Sequence, residues 1–250
     1  VNKSHTRVTV IIPHLNTLEC VDTLIALYQL QTLVPYIVLI DTGSPLAVCR
    51  ELEARRKENV EIHYLRANSW CHASEPVTAA LDLALSMCAT EYMLYTHTDA
   101  FPRRRDLVEF LARECSEKVP IVGYELSPRP DPEWRGCFGH TCTMMHTKSI
   151  FKINGIWSMR KTFVETPNIP LVAGWPDTET AMNRIVKAAK LPVKFLGQDG
   201  NFERLCDANI DHSRSYTLCK SANVWHNNTY ERFEVALREA KERVIEWSKP

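Results

Sequence analysis

Short apolar runs and longer amphipathic stretches alternate through the first half of the chain. Val8–Ile12 (VTVII) is an unbroken β-branched run stopped by Pro13, the pattern of a strand buried on both faces. Leu18–Gln31 carries apolar residues at 21, 24, 25, 27, 28 and 30, a stripe that predicts a helix lying on a sheet. Tyr36–Asp41 (YIVLID) reads as a second buried strand, closed by the turn Thr42-Gly43-Ser44-Pro45. Ala47–Glu58 is a charged amphipathic helix, and Val60–Leu65 alternates as a third strand. Ser74–Met87 opens with Ser-Glu-Pro, an N-cap followed by proline in the first turn, and continues as AALDLAL. Glu91–Thr96 (EYMLYT) is a fourth strand. Strands alternating with helices over short connections predict a parallel sheet covered on both faces. Ligands of such sheets bind beyond the carboxyl ends of the strands. Three predicted strand ends carry polar residues there: Pro13-His14-Leu15-Asn16, Asp41-Thr42-Gly43-Ser44 and His97-Thr98-Asp99.

The second half is less regular. Asp106–Cys115 reads as a helix, Ile121–Leu126 as a strand, Gly136–His146 as a strand and Thr147–Ile153 as a short helix. Asp177–Lys190 is a further helix, Val193–Leu196 a short strand and Tyr230–Trp247 a long charged terminal helix. The weak pattern from Trp157 to Pro176 predicts a mobile loop, and Gly197–Asn228 is irregular. With no repeat, low-complexity tract or clear linker, one continuous domain over residues 1–250 is expected.

Composition narrows the class. The 250 residues are 45% hydrophobic and 24% charged, which excludes a mostly disordered chain. Thirty basic residues balance 30 acidic ones, so there is no general pull toward nucleic acid or an anionic membrane. The nine cysteines are odd in number and include no C-x-x-C pair, which argues against a disulfide framework and for free thiols in a reducing compartment. No apolar run approaches the ~18 residues that a membrane span needs. A soluble, cytoplasmic protein without a transmembrane segment is the expectation.

Neither G-x-G-x-x-G after the first strand nor G-x-x-x-x-G-K-[ST] occurs. A nucleotide held without a glycine-rich loop needs another means of offsetting its phosphate charge, and a divalent cation on strand-end carboxylates supplies one. In this setting VTVIIPHLN, YIVLIDTGS and EYMLYTHTDAFP together resemble the nucleotide half of the family-2-type glycosyltransferases of GT-A fold. That family's pattern runs V-S-V-I-I-P-x-Y-N, then V-V-D-D-G-S, then a strand ending in D-x-D. The resemblance covers about residues 7–105 well and 135–215 loosely. It departs at His14, where the family has an aromatic residue, at the end of the second strand, where Ile40-Asp41 retains only one of two acidic residues, and at His97, where the first Asp of D-x-D belongs.

The resemblance implies a single GT-A-like (Rossmann-like) α/β domain with a mostly parallel central sheet flanked by helices and a C-terminal helix. Residues 1–105 would be its nucleotide-binding half and 106–250 its acceptor-binding half. It implies inverting transfer of a sugar from a nucleotide-diphosphate donor, most simply a UDP-sugar, to an acceptor hydroxyl. Pro13, His14 and Leu15 would line the base and ribose, Asp41 would accept a hydrogen bond from the base, and His97 and Thr98 would meet the nucleotide. Asp99 would bind Mn²⁺ or Mg²⁺ with His97 and His212, His226 being the alternate, and Arg214 would hold phosphate. Asp177, followed by Arg184, would be the general base, with Glu179 as the fallback.

Each of these residues also has an ordinary structural use. Asp99 precedes Ala-Phe-Pro as a turn-initiating Asp would, and Asp41 suits an Asx turn over Thr42-Gly43-Ser44. Asp177 is a good helix N-cap whatever its chemistry. Arg103-Arg104-Arg105 reads as a solvated helix start, and Trp134, Trp157 and Trp175 stack on sugars or pack in a core. Cys137, His140, Cys142 and His146 do not match the common zinc spacings. The acceptor stays open among a glycan, a small molecule, a protein or a modified nucleic acid. A non-catalytic nucleotide-sugar or glycan-binding module of the same fold is the alternative from another class. A sugar nucleotidyltransferase is the weaker one, since His14-Leu15-Asn16-Thr17 lacks the glycine-rich loop that such enzymes carry.

Overall fold

The computed structural model describes residues 6–66, 74–125, 135–139, 141–158, 178–196, 206–207 and 227–249. Val8–His14 (β1), Tyr36–Asp41 (β2), Val60–Tyr64 (β3) and Tyr92–Tyr95 (β4) are the four strands expected in the first half. Leu18–Gln29 (α1), Leu46–Glu53 (α2) and Ser74–Met87 (α3) connect them. The continuous apolar runs are explained by position, since every residue of β1, β2 and β4 is buried. Helix α2 stops short of the expected Glu58 because the chain turns back early: Lys57 and Val60 exchange backbone hydrogen bonds and launch β3.

Phe101–Pro102 (β5), Leu107–Glu114 (α4), Ile121–Tyr124 (β6), Thr143–His146 (β7), Thr147–Lys152 (α5), Thr180–Ala188 (α6), Val193–Leu196 (β8), Cys206–Asp207 (β9) and Asn227–Trp247 (α7) follow. The long strand expected over Gly136–His146 is broken. Gly136 and Cys142 adopt left-handed backbone (φ +66° and +54°), Phe138 makes only an isolated bridge to Glu125, and a true strand begins at Thr143. The short β5 and β9, which pair antiparallel as a small second sheet, have no sequence signal of their own.

The main sheet has seven strands in the order β3-β2-β1-β4-β7-β6-β8. Pairs β1–β2, β2–β3, β1–β4 and β6–β8 are parallel, while β7 runs antiparallel to both β4 and β6. The chain therefore enters β7 in the direction opposite to β4 and β6. Strands from both halves of the sequence thus share one sheet. On one face Val10, Ile12, Leu39 and Leu94 pack under α1, α4 and α7, with α2 contributing Leu52. On the other, Ile11, Val38, Ile40 and Tyr95 pack under α3, α5 and α6. Among the described residues no helix is long and apolar enough to cross a membrane.

Candidate functional site

The strand order places a topological switch point between β1 and β4. From β1 the chain leaves through α1 toward β2, and from β4 it leaves toward the other half of the sheet. A crevice at the carboxyl ends of such diverging strands is where open α/β sheets take ligands. One hydrogen bond spans it: Thr17 Oγ1, beyond β1, donates to Thr98 Oγ1, beyond β4, at 3.0 Å. Below it, Thr96 N–H donates to Ile11 O, so the two tips are also joined through the backbone.

The β1 and β2 tips are tied more tightly. His14 and Asp41 are the last register partners of these parallel strands, so their side chains emerge side by side on one face. His14 Nδ1 lies 2.8 Å from Asp41 Oδ2, and neither side chain reaches solvent. Thr17 N–H donates to His14 Nε2 at 3.2 Å, which leaves Nδ1 to carry the ring proton and donate it to Asp41. The second carboxylate oxygen, Oδ1, accepts from Gly43 N–H and Ser44 N–H at 3.2 and 3.1 Å. Burial pushes the Asp41 carboxyl upward, but the hydrogen bonds from His14 and Ser44 outweigh it and hold it at about 2. Asp41 is therefore an Asx-turn anchor. His14, expected to line the base pocket, has its ring buried against Asp41; Pro13 is buried as well, and Leu15 is half-buried.

Arg66, which sequence reasoning did not single out, completes the cluster. It stands two residues beyond Tyr64, the β3 register partner of Asp41, and so shares Tyr64's face of the sheet. Its Nη1 lies 3.1 Å from both Asp41 Oδ1 and Ser44 O, and its Nη2 lies 2.6 Å from Cys49 Sγ. Burial and the neighbouring Asp41 charge push the Cys49 thiol up, and Arg66 opposes them. The strand parity of residues 64 and 66 was the available signal.

The His97-Thr98-Asp99 segment is a tight turn in which Ala100 N–H returns to His97 O. His97 is half-buried, while Asp99, expected to face an open cleft, is only 3% exposed. Among the described residues no group of three or more His, Cys, Asp or Glu side chains is placed to hold a metal ion. Asp99 and His97 stand together on this turn, and the third expected ligand, His212, lies outside the described residues, as do Arg214 and His226.

Asp177 also lies outside the described residues. Glu179 occupies the N-cap position of α6 and is 8% exposed. The start of α6 is pinned by Asn183, whose Oδ1 accepts Phe138 N–H at 3.0 Å and whose Nδ2 donates to Phe138 O at 2.8 Å and to Glu179 O at 3.0 Å. Phe138 meets the ring of Trp157 edge-on, and Trp157 meets Tyr95 of β4 at 5.0 Å. Trp157 is fully buried, so the expected mobile stretch does not begin there; residues 159–176 lie outside the described residues. Asp82 of α3 holds this point by accepting Trp157 N–H at 2.6 Å and Ser158 N–H at 2.8 Å. A lone carboxylate in the apolar run AALDLAL was its sequence signal. The basic run has structural partners: Arg104 makes two hydrogen bonds to Asp106, and Arg105 donates to Leu30 O.

No protein-family model matches the sequence, and no curated protein matches it. Solved structures do match. The mannosyltransferase PcManGT from Pyrobaculum calidifontis, in complex with GDP-Man and Mn²⁺, gives a TM-score of 0.52 at 13% identity over 95% of this chain and 69% of that one. Staphylococcus aureus TarS gives 0.45 at 16% identity over 61% of this chain and 30% of its own. The glucosyl-3-phosphoglycerate synthase of Mycobacterium tuberculosis, with Mg²⁺ and UDP, gives 0.42 at 15% identity over 58% of each chain. The chain spans half or less of the TarS chains it matches. At these identities the likeness is one of fold, and the fold is a GT-A-like α/β domain with a mostly parallel sheet.

Proposed function

We propose that the protein is an inverting glycosyltransferase that moves a sugar from a nucleotide-diphosphate donor, a UDP-sugar by preference, to an acceptor hydroxyl. The observation that carries this reading is the meeting of three strand tips at the switch point. There Thr17 joins β1 to the His97-Thr98-Asp99 turn, and His14 joins it to Asp41. The base and ribose would lie over Pro13, Leu15 and the β2 tip, and the diphosphate over Thr98 and Arg214. The fold shared with PcManGT, itself solved with GDP-Man and Mn²⁺, supports this donor class. Residues 1–105 would form the nucleotide-binding half and 106–250 the acceptor-binding half. Free thiols at Cys20, Cys49, Cys88, Cys115, Cys137 and Cys142 fit a reducing, cytoplasmic setting.

Asp99 and His97, with His212, are the residues that would hold Mn²⁺ or Mg²⁺, whose charge would offset that of the diphosphate. Asp177 would take the proton from the acceptor hydroxyl as its oxygen attacks the anomeric carbon. The bond from that carbon to the phosphate oxygen breaks, the electron pair leaves with the diphosphate, and one in-line displacement inverts the configuration. Glu179 is the second carboxylate on this side. The acceptor would be a hydroxyl of a glycan, a small molecule or a modified nucleic acid.

One observation favours a second reading, a nucleotide-sugar-binding module without turnover: the near-complete burial of Asp99. Incubation with UDP-sugars and Mn²⁺ separates the two. Release of UDP by the wild type, lost in Asp99→Ala and Asp177→Asn, supports the transferase. Binding without release supports the module.

A further inference from the structure

Asn183 sits one turn into α6 and is 3% exposed. Asparagine suits a helix interior poorly, because its amide competes for backbone hydrogen bonds. Here the side chain makes three hydrogen bonds, each to backbone. Phe138 N–H donates to Oδ1 at 3.0 Å, and Nδ2 donates to Phe138 O at 2.8 Å and to Glu179 O at 3.0 Å. Phe138 bridges to Glu125, just beyond β6, and next to it Gly139 N–H donates to Tyr124 O at 3.2 Å. The N–H and C=O of Phe138 itself therefore face away from β6, and Asn183 takes both as a paired strand residue would. Glu179, the N-cap residue of α6, makes no side-chain capping bond to the helix. Lys187, one turn on, adds an exposed tie from Nζ to Arg135 O at 2.9 Å, but Asn183 is the buried tie that reaches Glu179. Phe138 in turn meets Trp157 edge-on, and Trp157 meets Tyr95 at 5.0 Å. Tyr95 ends β4, two residues before His97. One packed chain thus runs from the start of α6 to the tip of β4, and Asn183 is its polar link.

We infer that Asn183 is a positioning residue for the transfer: it sets where the first turn of α6, which follows Asp177 in the chain and begins at Glu179, stands against the tip of β4. The inference rests on the transferase reading above and adds to it a residue that touches neither donor nor acceptor. A general base and a reacting carbon held on separate elements work only at the right separation, and a misplacement of about 1 Å can cost about a hundredfold in rate. Without the Asn183 amide, Phe138 N–H and C=O are left buried and unpaired, a cost that the chain relieves by letting helix and segment part.

Steady-state release of UDP by the full chain from UDP-glucose, UDP-galactose and UDP-GlcNAc in Mn²⁺, with water as the acceptor, tests this alongside calorimetric titration with UDP. Asn183→Ala is expected to lower kcat by about tenfold to a hundredfold while leaving the donor KM and UDP affinity within about twofold, because only the reacting step is disturbed. Val186→Ala, 2% exposed on the same helix, removes apolar packing but no hydrogen bond to Phe138, and is expected to keep kcat within about twofold. Asn183→Asp keeps the shape and the acceptor for Phe138 N–H but turns its other oxygen toward Phe138 O and Glu179 O. Those carbonyls favour the protonated carboxyl, which regains a donor. Its kcat relative to wild type is therefore expected to recover severalfold from about pH 8 to about pH 6, while that of Asn183→Ala stays flat. This second variant carries the test if Asn183→Ala fails to fold. Equal kcat in wild type and Asn183→Ala, or equal losses in Asn183→Ala and Val186→Ala, overturns the inference. So does an Asn183→Asp ratio that does not change with pH. A wild type that releases no UDP from any of the three donors overturns the transferase reading itself, and the inference with it.

Discussion

His14 and Asp41 end their parallel strands as register partners and share a 2.8 Å hydrogen bond shut off from solvent, with Thr17 N–H fixing the far side of the imidazole. The pair locks the tips of β1 and β2 and gives the fold a defined acid response. Asp41 sits at about 2 in the folded protein, below its ordinary 3.8. Its stabilisation is therefore complete above the unfolded value and is lost as pH falls from about 4 toward 2, an effect of about 2–3 kcal/mol. Asp41→Asn sets an amide NH2 against either the His14 Nδ1–H or the N–H groups of Gly43 and Ser44, and a tautomer change of His14 would only move the first clash to Thr17. Urea melts between pH 2 and 7 are expected to show the variant less stable by about 3 kcal/mol at pH 7 and flatter across the acid range.

The Thr17–Thr98 bond is the side-chain bridge across the switch point. Thr17→Val and Thr98→Val are each expected to cost about 1 kcal/mol, and the double variant no more than the larger single one, because one interaction is removed in all three. A double-mutant cycle of denaturation midpoints measures the coupling. UDP affinity is expected to fall in step.

Asp82 accepts two backbone N–H groups beside a fully buried Trp157. Asp82→Ala orphans both, at an expected loss of about 2–4 kcal/mol. Hydrogen exchange is expected to accelerate at the amides of Trp157 and Ser158, with the amides of β1 and β2 unaffected at low denaturant.

The two carboxylates proposed for the acceptor side, Asp177 and Glu179, are separable by experiment. Asp177→Asn is expected to lower sugar transfer by about a hundredfold or more while leaving UDP affinity within about twofold, as loss of a general base would. Glu179→Gln is expected to be milder, since Glu179 is buried at the N-cap position of α6. Initial rates of UDP release alongside calorimetric affinities decide between them.

The strands and helices of the first half were legible because a buried parallel strand needs an unbroken apolar run, and VTVII, YIVLID and EYMLYT each supply one. The tips were legible because each run stops at a polar residue. What the residues of those tips do was less so. His14 looks like a loop residue in sequence, but its register opposite Asp41 turns it inward, and register is set by strand pairing that no local pattern records. Arg66 was missed because its partner lies on another strand. The break at Cys142 was missed because a cysteine carries no turn signal, and the antiparallel return of β7 depends on the sheet around it rather than on the residues Thr143–His146. Asn183 and Asp82 hold distant backbone by side-chain hydrogen bonds, which apolar periodicity does not reveal.

The proposed activity requires the three strand tips to form one cradle for a nucleotide diphosphate. Crystals soaked with UDP and Mn²⁺ put this to the test most directly. The expected density places uridine over Pro13 and Leu15 beside Arg66, with the diphosphate above Thr98 and the ion bonded to Asp99. Uridine bound elsewhere on the protein, or an Asp99 carboxylate still closed off with no ion beside the diphosphate, would contradict it.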